Sequence, residues 1–199
     1  MKNFITGTVV IIFLFSSCKE NVSVYRGSAQ FMHSYYYASG FEDINFYQDD
    51  TVSIIYCNSF SVSSYPLSWD IAKLYGDTAW YRPAPPVPEN CYFNIEKIDI
   101  VCSADIDGEH PQGSSLNDIF QFTGGSYYNF IKNNYEPKFY HEVIEKSLSE
   151  MSEEEFKLLT TPVFFQFLSL PEKSGDYTFT ITVTTTDGIA FSKDITVTF

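Results

Sequence analysis

From Tyr177 to Thr184 the chain alternates large apolar and hydroxyl side chains without a break: Tyr177, Phe179, Ile181 and Val183 against Thr178, Thr180, Thr182 and Thr184. A period of two over this length fits a strand with one buried and one wet face. Asp187-Gly188 follows, and beyond it Ile189, Phe191, Ile195, Val197 and Phe199 are apolar. A two-residue Asp-Gly loop would set Val183 against Ser192, whereas a three-residue Thr186-Asp187-Gly188 loop sets Val183 against Phe191 and keeps apolar on apolar. The second register is expected, built on a type I turn with Gly188 left-handed in a G1 bulge. It leaves Lys193 on the inner phase opposite Ile181, where it must snorkel at a sheet edge or be displaced by a second bulge. Tyr177, Phe179, Ile181 and Val183 with Phe191, Ile195, Val197 and Phe199 then share a face that needs a second layer. The expected fold is mainly β, a sandwich with short helical insertions.

Upstream, Phe31 to Tyr37 and Val52 to Phe60 read as strands punctuated by Asp49-Asp50. Arg82 to Pro88 holds four of the nine prolines and reads as an extended connector, because proline donates nothing to a ladder. Fewer than 60 residues separate the N-terminal polar stretch from this connector, marginal for an independent core. One β-rich domain over 29–199, crossed by a Pro-rich connector at 82–90, is therefore expected; a domain boundary near 90 is the alternative. Phe93 to Cys102 is expected as a continuous strand with a bulge near Glu96-Lys97, since Ile98, Ile100 and Cys102 share a phase that Phe93 and Ile95 do not. Over 113–122 the spacing of Leu116, Ile119 and Phe120 predicts a short helical turn capped by Ser115. Tyr140 to Leu159 predicts the main helical stretch, with a Ser152/Glu155 capping box and Pro162 ending it. Val163 to Leu170 fits a buried strand.

The N-terminus carries an address. Met1-Lys2-Asn3 is a cationic start, Phe4 to Phe15 is apolar, and Ser16-Ser17 precede Cys18. Such an apolar run is too short to span a bilayer and fits a signal peptide over 1–17. The order Leu14-Phe15-Ser16-Ser17-Cys18 resembles a bacterial lipobox, which implies cleavage before Cys18 and acylation of its thiol and new amino group. An ordinary secretory signal, or an uncleaved anchor, with a coincidental cysteine is the alternative. Two or more acyl chains anchor stably, so residues 18–28 read as a tether between membrane and domain.

With Cys18 acylated, Cys57, Cys91 and Cys102 remain, an odd number for an exported chain. Eleven extended residues would hold Cys91 and Cys102 roughly 36 Å apart, far beyond bridging distance; a bridge from Cys57 to either stays open. There is no zinc spacing among His33, His110, His141 and the cysteines. The formal charge of −13 gives no footprint for phosphate backbones, and no Gly-rich phosphate loop is present, so neither nucleic acid nor nucleotide is expected as a partner.

The Thr78-Ala79-Trp80 to Pro88 stretch, the strand after it, His110-Pro111-Gln112-Gly113-Ser114-Ser115-Leu116-Asn117-Asp118-Ile119-Phe120, and the Thr-rich hairpin around Asp187-Gly188 together resemble a group of uncharacterised Bacteroidetes-type lipoproteins of unknown function. The resemblance covers roughly residues 78–199. It implies an immunoglobulin-like sandwich, lipid-tethered at its N-terminus, at the outer membrane or cell surface, and it carries no activity and no site residue. Lys19-Glu20 is similar to the charged export tag of such surface lipoproteins. Asp50-Thr51-Val52 and Asp77-Thr78-Ala79 resemble the sites at which Bacteroidetes-type exported proteins are O-glycosylated, which implies Thr51 and Thr78 as acceptors; ordinary loop and strand-edge residues are the alternative.

No nucleophile elbow or H-E-x-x-H is present, and Ser114-Ser115 lacks a placeable base. Glu142, Glu145, Glu150, Glu153, Glu154 and Glu155 offer carboxylates for glycoside hydrolysis, but a solvated helix face accounts for them. Asp105, Asp107 and Glu109 offer oxygen ligands for calcium in a loop that departs from the EF-hand order; an acidic connecting loop is the alternative reading. Tyr36, Tyr127 and Tyr128 are candidates for stacking on a ligand, although neighbours on a strand point oppositely, so part of each tyrosine run belongs to the core. The expected function is that of an exported, lipid-anchored accessory protein, with a binding or structural role toward a glycan or surface protein. A carbohydrate-active hydrolase with paired carboxylates is the alternative.

Overall fold

The computed structural model describes residues 30–32, 34–62, 69–80 and 91–199. The signal segment, Cys18, the tether, His33 and the 82–90 connector lie outside them. In chain order the elements are β1 (Ala38–Gln48), β2 (Ser53–Val62), α1 (Trp69–Tyr75), β3 (Cys91–Tyr92), β4 (Ile95–Cys102), β5 (Phe120–Ser126), α2 (Tyr128–Lys132), β6 (Glu142–Ser147), α3 (Glu153–Phe156), β7 (Leu159–Phe167), β8 (Asp176–Thr185) and β9 (Ala190–Thr198). The larger sheet runs β1-β2-β7-β5-β6, with β3 paired to the start of β7, and the smaller runs β4-β8-β9. Every strand pairing is antiparallel. The chain is thus mainly β, two antiparallel sheets stacked as a sandwich with a few short helices.

The C-terminal hairpin has the expected register. Val183 opposes Phe191, Ile181 opposes Lys193, and Gly188 has φ +80°. Phe179, Ile181 and Val183 are wholly buried, and Lys193 lies exposed on an edge strand. An inward-phase lysine on an edge also discourages pairing with another chain. The core between the sheets is aromatic: Phe167 and Phe120 meet Phe179 at ring separations of 5.1 and 6.1 Å, and Phe41 meets Phe191 at 5.3 Å. Cys57 and Cys102 belong to this core, Cys91 to a second cluster, and all three thiols are free. Burial pushes the Cys57 thiol up to about 12.

Four expectations need correction, each for a physical reason. Among the described residues of 31–37 none lies in a strand, and Tyr36 meets the larger sheet through an isolated bridge to Tyr92. The backbone N–H groups of Phe31 and Met32 donate instead to Asp77, at 2.7 and 2.9 Å, and are unavailable to a ladder. Phe93 to Cys102 is broken, so β3 and β4 serve different sheets. At the break the buried Asn94 side chain pairs with Ala38 like a strand, accepting its N–H at 2.8 Å and donating to its carbonyl at 3.0 Å. The register shift between Ile95 and Lys97 is where the bulge is expected.

The turn over 113–122 is not helical. The open edge of β4 takes residues 115–117: Val101 bridges Ser115, Leu116 N–H donates to Ile100, and the Asn117 amide closes on Ile98 and Ile100 at 3.0 Å each. Over 140–159 only Glu153–Phe156 is α-helical, carrying the expected capping box. Glu142–Ser147 is a strand because the edge of β5 offers a ladder that buries Ile144, and tertiary pairing overrides helix propensity. Pro162 lies inside β7, where its partner changes from β3 to β2.

The second apolar cluster sits beside α1 and α2. Phe31 packs against Trp80, Tyr127 and Phe130 at ring separations of 5.0, 5.3 and 4.9 Å. Among the described residues, no helix is long and apolar enough to cross a membrane.

Candidate functional site

Strand β2 reads Ser53-Ile54-Ile55-Tyr56-Cys57-Asn58, apolar in both phases. Ile55 and Cys57 fill the core, so Ile54, Tyr56 and Asn58 must project from the outer face of the larger sheet. Directly paired residues share a face, and the registers extend this face sideways in two rows. One row is Asn45, Tyr56, Phe164, Thr123 and Glu145; the other is Tyr47, Ile54, Gln166, Gln121 and Ser147.

Tyr47, Ile54, Tyr56, Asn58 and Phe164 enclose a shallow groove of about 330 Å³. Tyr47 is 52% exposed. Its hydroxyl donates to Asp49 at 3.0 Å, a bond that raises the phenol above its ordinary value and fixes the ring. Polar groups border the rings. Asp43 accepts the side-chain amides of Asn45 at 2.5 Å and Asn58 at 2.7 Å, and Gln121 donates to Glu145 at 2.8 Å. Aromatic faces bordered by amides and carboxylates suit a flat ligand that presents both C–H faces and hydroxyl edges.

The tyrosines expected to stack on a ligand lie elsewhere. Tyr127 is core, 1% exposed and packed against Phe31 and Tyr140, and burial raises its phenol, so the stacking role is withdrawn for it. Tyr36 is half-buried against Tyr92. Tyr128 lines a cleft of about 740 Å³ with Lys73, Tyr75, Phe93, Lys132 and Lys157 among its walls. The ammonium groups of Lys132 and Lys157 stand over the Tyr128 ring, 5.3 and 5.5 Å from its centroid, and the Tyr75 ring meets it edge-on. Its ring is already engaged.

The acidic loop is organised around His110. Asp107 Oδ1 accepts the N–H groups of Glu109 and His110 at 2.8 Å each and meets His110 Nδ1 at 2.7 Å; Asp118 Oδ2 meets Nε2 at 3.1 Å. The bonds to Asp118 and Asp107 raise the imidazole above its ordinary value despite burial. Asp105 Oδ1 accepts the Gln112 N–H at 2.7 Å. Asp105, Asp107 and Glu109 do not converge, and among the described residues no group of three or more His, Cys, Asp or Glu is set to hold a metal ion.

Thr51 is exposed in the β1–β2 turn, its hydroxyl donating to Asp49 at 2.7 Å. Thr78 is half-buried, and the Asp77 before it is wholly buried.

The glutamates are not on one helix. Glu142 and Glu145 lie on β6, and Glu153 to Glu155 on α3. Glu154 is paired with Lys132 and Glu155 with Lys146, at 2.8 and 2.7 Å. Lys132 lowers the Glu154 carboxyl. For Glu155, burial pulls upward, but the bonds from Lys146 and Ser152 outweigh it and the net direction is down.

The outer aromatic face was missed in the sequence, although β2, apolar in both phases where the C-terminal β8 alternates apolar with Thr, is the signal that points to it. No protein-family model, curated protein or solved structure matches the chain.

Proposed function

We propose that this chain is an exported lipoprotein, anchored through Cys18 to the outer membrane or cell surface, that acts as an accessory binding module. In this reading its ligand, a glycan or a surface protein, lies on the outer face of the larger sheet. The observation that carries it is the groove of Tyr47, Ile54, Tyr56 and Phe164, bordered by Asn45, Asn58 and Asp43. A sugar ring offers an apolar face to such rings and hydroxyls to such amides, so a glycan fits better than a purely apolar partner. The immunoglobulin-like relationship and the kinship with Bacteroidetes-type lipoproteins belong to this proposal; the two stacked antiparallel sheets are compatible with the first and carry nothing for the second. If the surface is O-glycosylated, the exposed Thr51 is the favoured acceptor over Thr78.

A hydrolase reading asks for a carboxyl raised toward neutrality beside a second carboxylate. The lysine-paired Glu154 and Glu155 are lowered instead, so neither fits the role of that acid. The test is a glycan-array and pull-down screen with the 19–199 fragment and its Tyr56→Ala variant. Retention of a ligand that the variant loses supports the proposal. Turnover of a glycoside, abolished by one Glu or Asp substitution, contradicts it.

A further inference from the structure

Helix α1 is apolar on both sides. At 3.6 residues per turn, Ile71, Ala72 and Tyr75 fall on one side and Trp69, Asp70, Lys73 and Leu74 within an arc of about 140° on the other. The first set packs into the second apolar cluster, in which Ala72 is wholly buried. The second faces outward, with Trp69 46% and Leu74 70% exposed and Lys73 lying over the Trp69 ring, 5.4 Å from its centroid. Lys73 and Leu74 continue into the cleft whose far side carries Lys132 and Lys157.

Where the tether enters the domain bears on what this face can meet. The N–H groups of Phe31 and Met32 are fixed by Asp77, two residues beyond the end of α1. The chain leading from Cys18 therefore joins the domain beside α1. Twelve residues, Cys18 to Ala29, precede Gln30 and span at most about 43 Å.

We infer that the outer face of α1, with Trp69, Lys73 and Leu74, rests on the headgroup layer of the membrane that holds the acyl anchor. The inference rests on the proposed acylation of Cys18. Tethering holds the face at high effective concentration near the bilayer. A tryptophan with a neighbouring lysine suits the interface, where an amphipathic ring sits at headgroup level and a long cationic chain reaches phosphates. Three lysines gather on this side, Lys73 beside Asp70, Lys132 beside Glu154 and Lys157 beside Glu153, so local charge is near balance in a chain of net −13. Anionic headgroups repel it less than they repel the acidic remainder.

The chain has two tryptophans, and Trp80, 6% exposed between Phe31 and Tyr135, serves as the internal reference. Acylated full-length protein is reconstituted into phosphatidylethanolamine and phosphatidylglycerol vesicles, with ordinary acyl chains or with chains brominated near the carbonyl. The expected result is quenching by the brominated lipid that Trp69→Phe abolishes and that Lys73→Glu with Leu74→Asp weakens, while all variants float with the vesicles. Equal emission in both vesicle types from protein that floats would overturn the inference and leave the anchor standing. An unacylated Cys18 by mass spectrometry, with protein that does not float, would remove both together. A concentration-dependent blue shift of Trp69 in detergent, accompanied by dimers and insensitive to bromine, would assign the face to a second copy and overturn it.

Discussion

The hydroxyl of Tyr35 donates to the buried carboxylate of Asp77 across 2.6 Å, and Tyr135 donates to the other oxygen across 2.9 Å. With the N–H groups of Phe31 and Met32, four donors converge on one wholly buried side chain. Burial, and then the charge of Asp77, hold the Tyr35 phenol well above its ordinary range. Asp77 thereby joins the start of the domain, α1 and the segment after α2. Orphaned buried donors cost ~1–3 kcal/mol each, so Asp77→Ala should destabilise by roughly 3 kcal/mol or more, and Asp77→Asn, which keeps one acceptor oxygen, by roughly half as much. Urea denaturation of the two variants measures this. A loss within about 0.5 kcal/mol for Asp77→Ala, as for an ordinary surface change, would refute the role.

Phe179 and Thr180 test the phase of the C-terminal hairpin. Phe179 is wholly buried against Phe120 and Phe167, whereas the Thr180 hydroxyl donates to Asp194 on the exposed face. Phe179→Ala should cost about 3–5 kcal/mol through lost transfer energy and a cavity, and Thr180→Ala about 0.5 kcal/mol or less. Indistinguishable denaturation midpoints would mean that the inward phase is misassigned.

That hairpin was legible in the sequence because its information is local: alternation fixes the faces, and the turn residues fix the register. The Ser152/Glu155 capping box and the bulge before Lys97 were legible for the same reason. The failures share the opposite cause. Glu142–Ser147 becomes a strand through pairing with β5, more than fifteen residues away in sequence, and Phe31 to Tyr37 loses its ladder to a carboxylate at position 77. The outer aromatic face was hidden because Tyr47, Tyr56 and Phe164 come from three strands, and only the register of the larger sheet sets them side by side. The conspicuous tyrosine runs pointed elsewhere, and of Tyr127-Tyr128 the first is core and the second is engaged by lysines.

His110 makes the loop before β5 sensitive to pH, with a definite sign. Its folded value is raised, so its contribution is full below the ordinary imidazole value of about 6.5 and is lost as pH rises through the raised folded value. Asp107 and Asp118 are lowered, Asp118 chiefly by the His110 bond and Asp107 by bonds that outweigh its partial burial. Their contribution is present above the ordinary carboxylate value of about 4 and is lost as pH falls through the lowered folded values. The stability difference between wild type and His110→Ala should therefore be largest between about pH 4 and 6.5 and shrink on the alkaline side. Melting curves across that range measure it, and a difference that grows above about pH 8 contradicts the assignment.

Acylation of Cys18 has its own signature. Intact mass spectrometry of membrane-extracted protein should find Met1 to Ser17 removed and Cys18 carrying diacylglycerol; a mature chain that retains Met1 to Ser17 refutes the anchor.

The central claim is that the outer aromatic face of the larger sheet holds the ligand, and calorimetric titration tests it most directly. A ligand retained by the 19–199 fragment is titrated into wild type and into a Tyr47→Ala, Tyr56→Ala double variant. Neither ring belongs to the wholly buried core, so the variant should keep its fold and its far-ultraviolet spectrum. The account predicts affinity weakened at least about tenfold, or ~1.4 kcal/mol. Unchanged affinity in a folded double variant would contradict it.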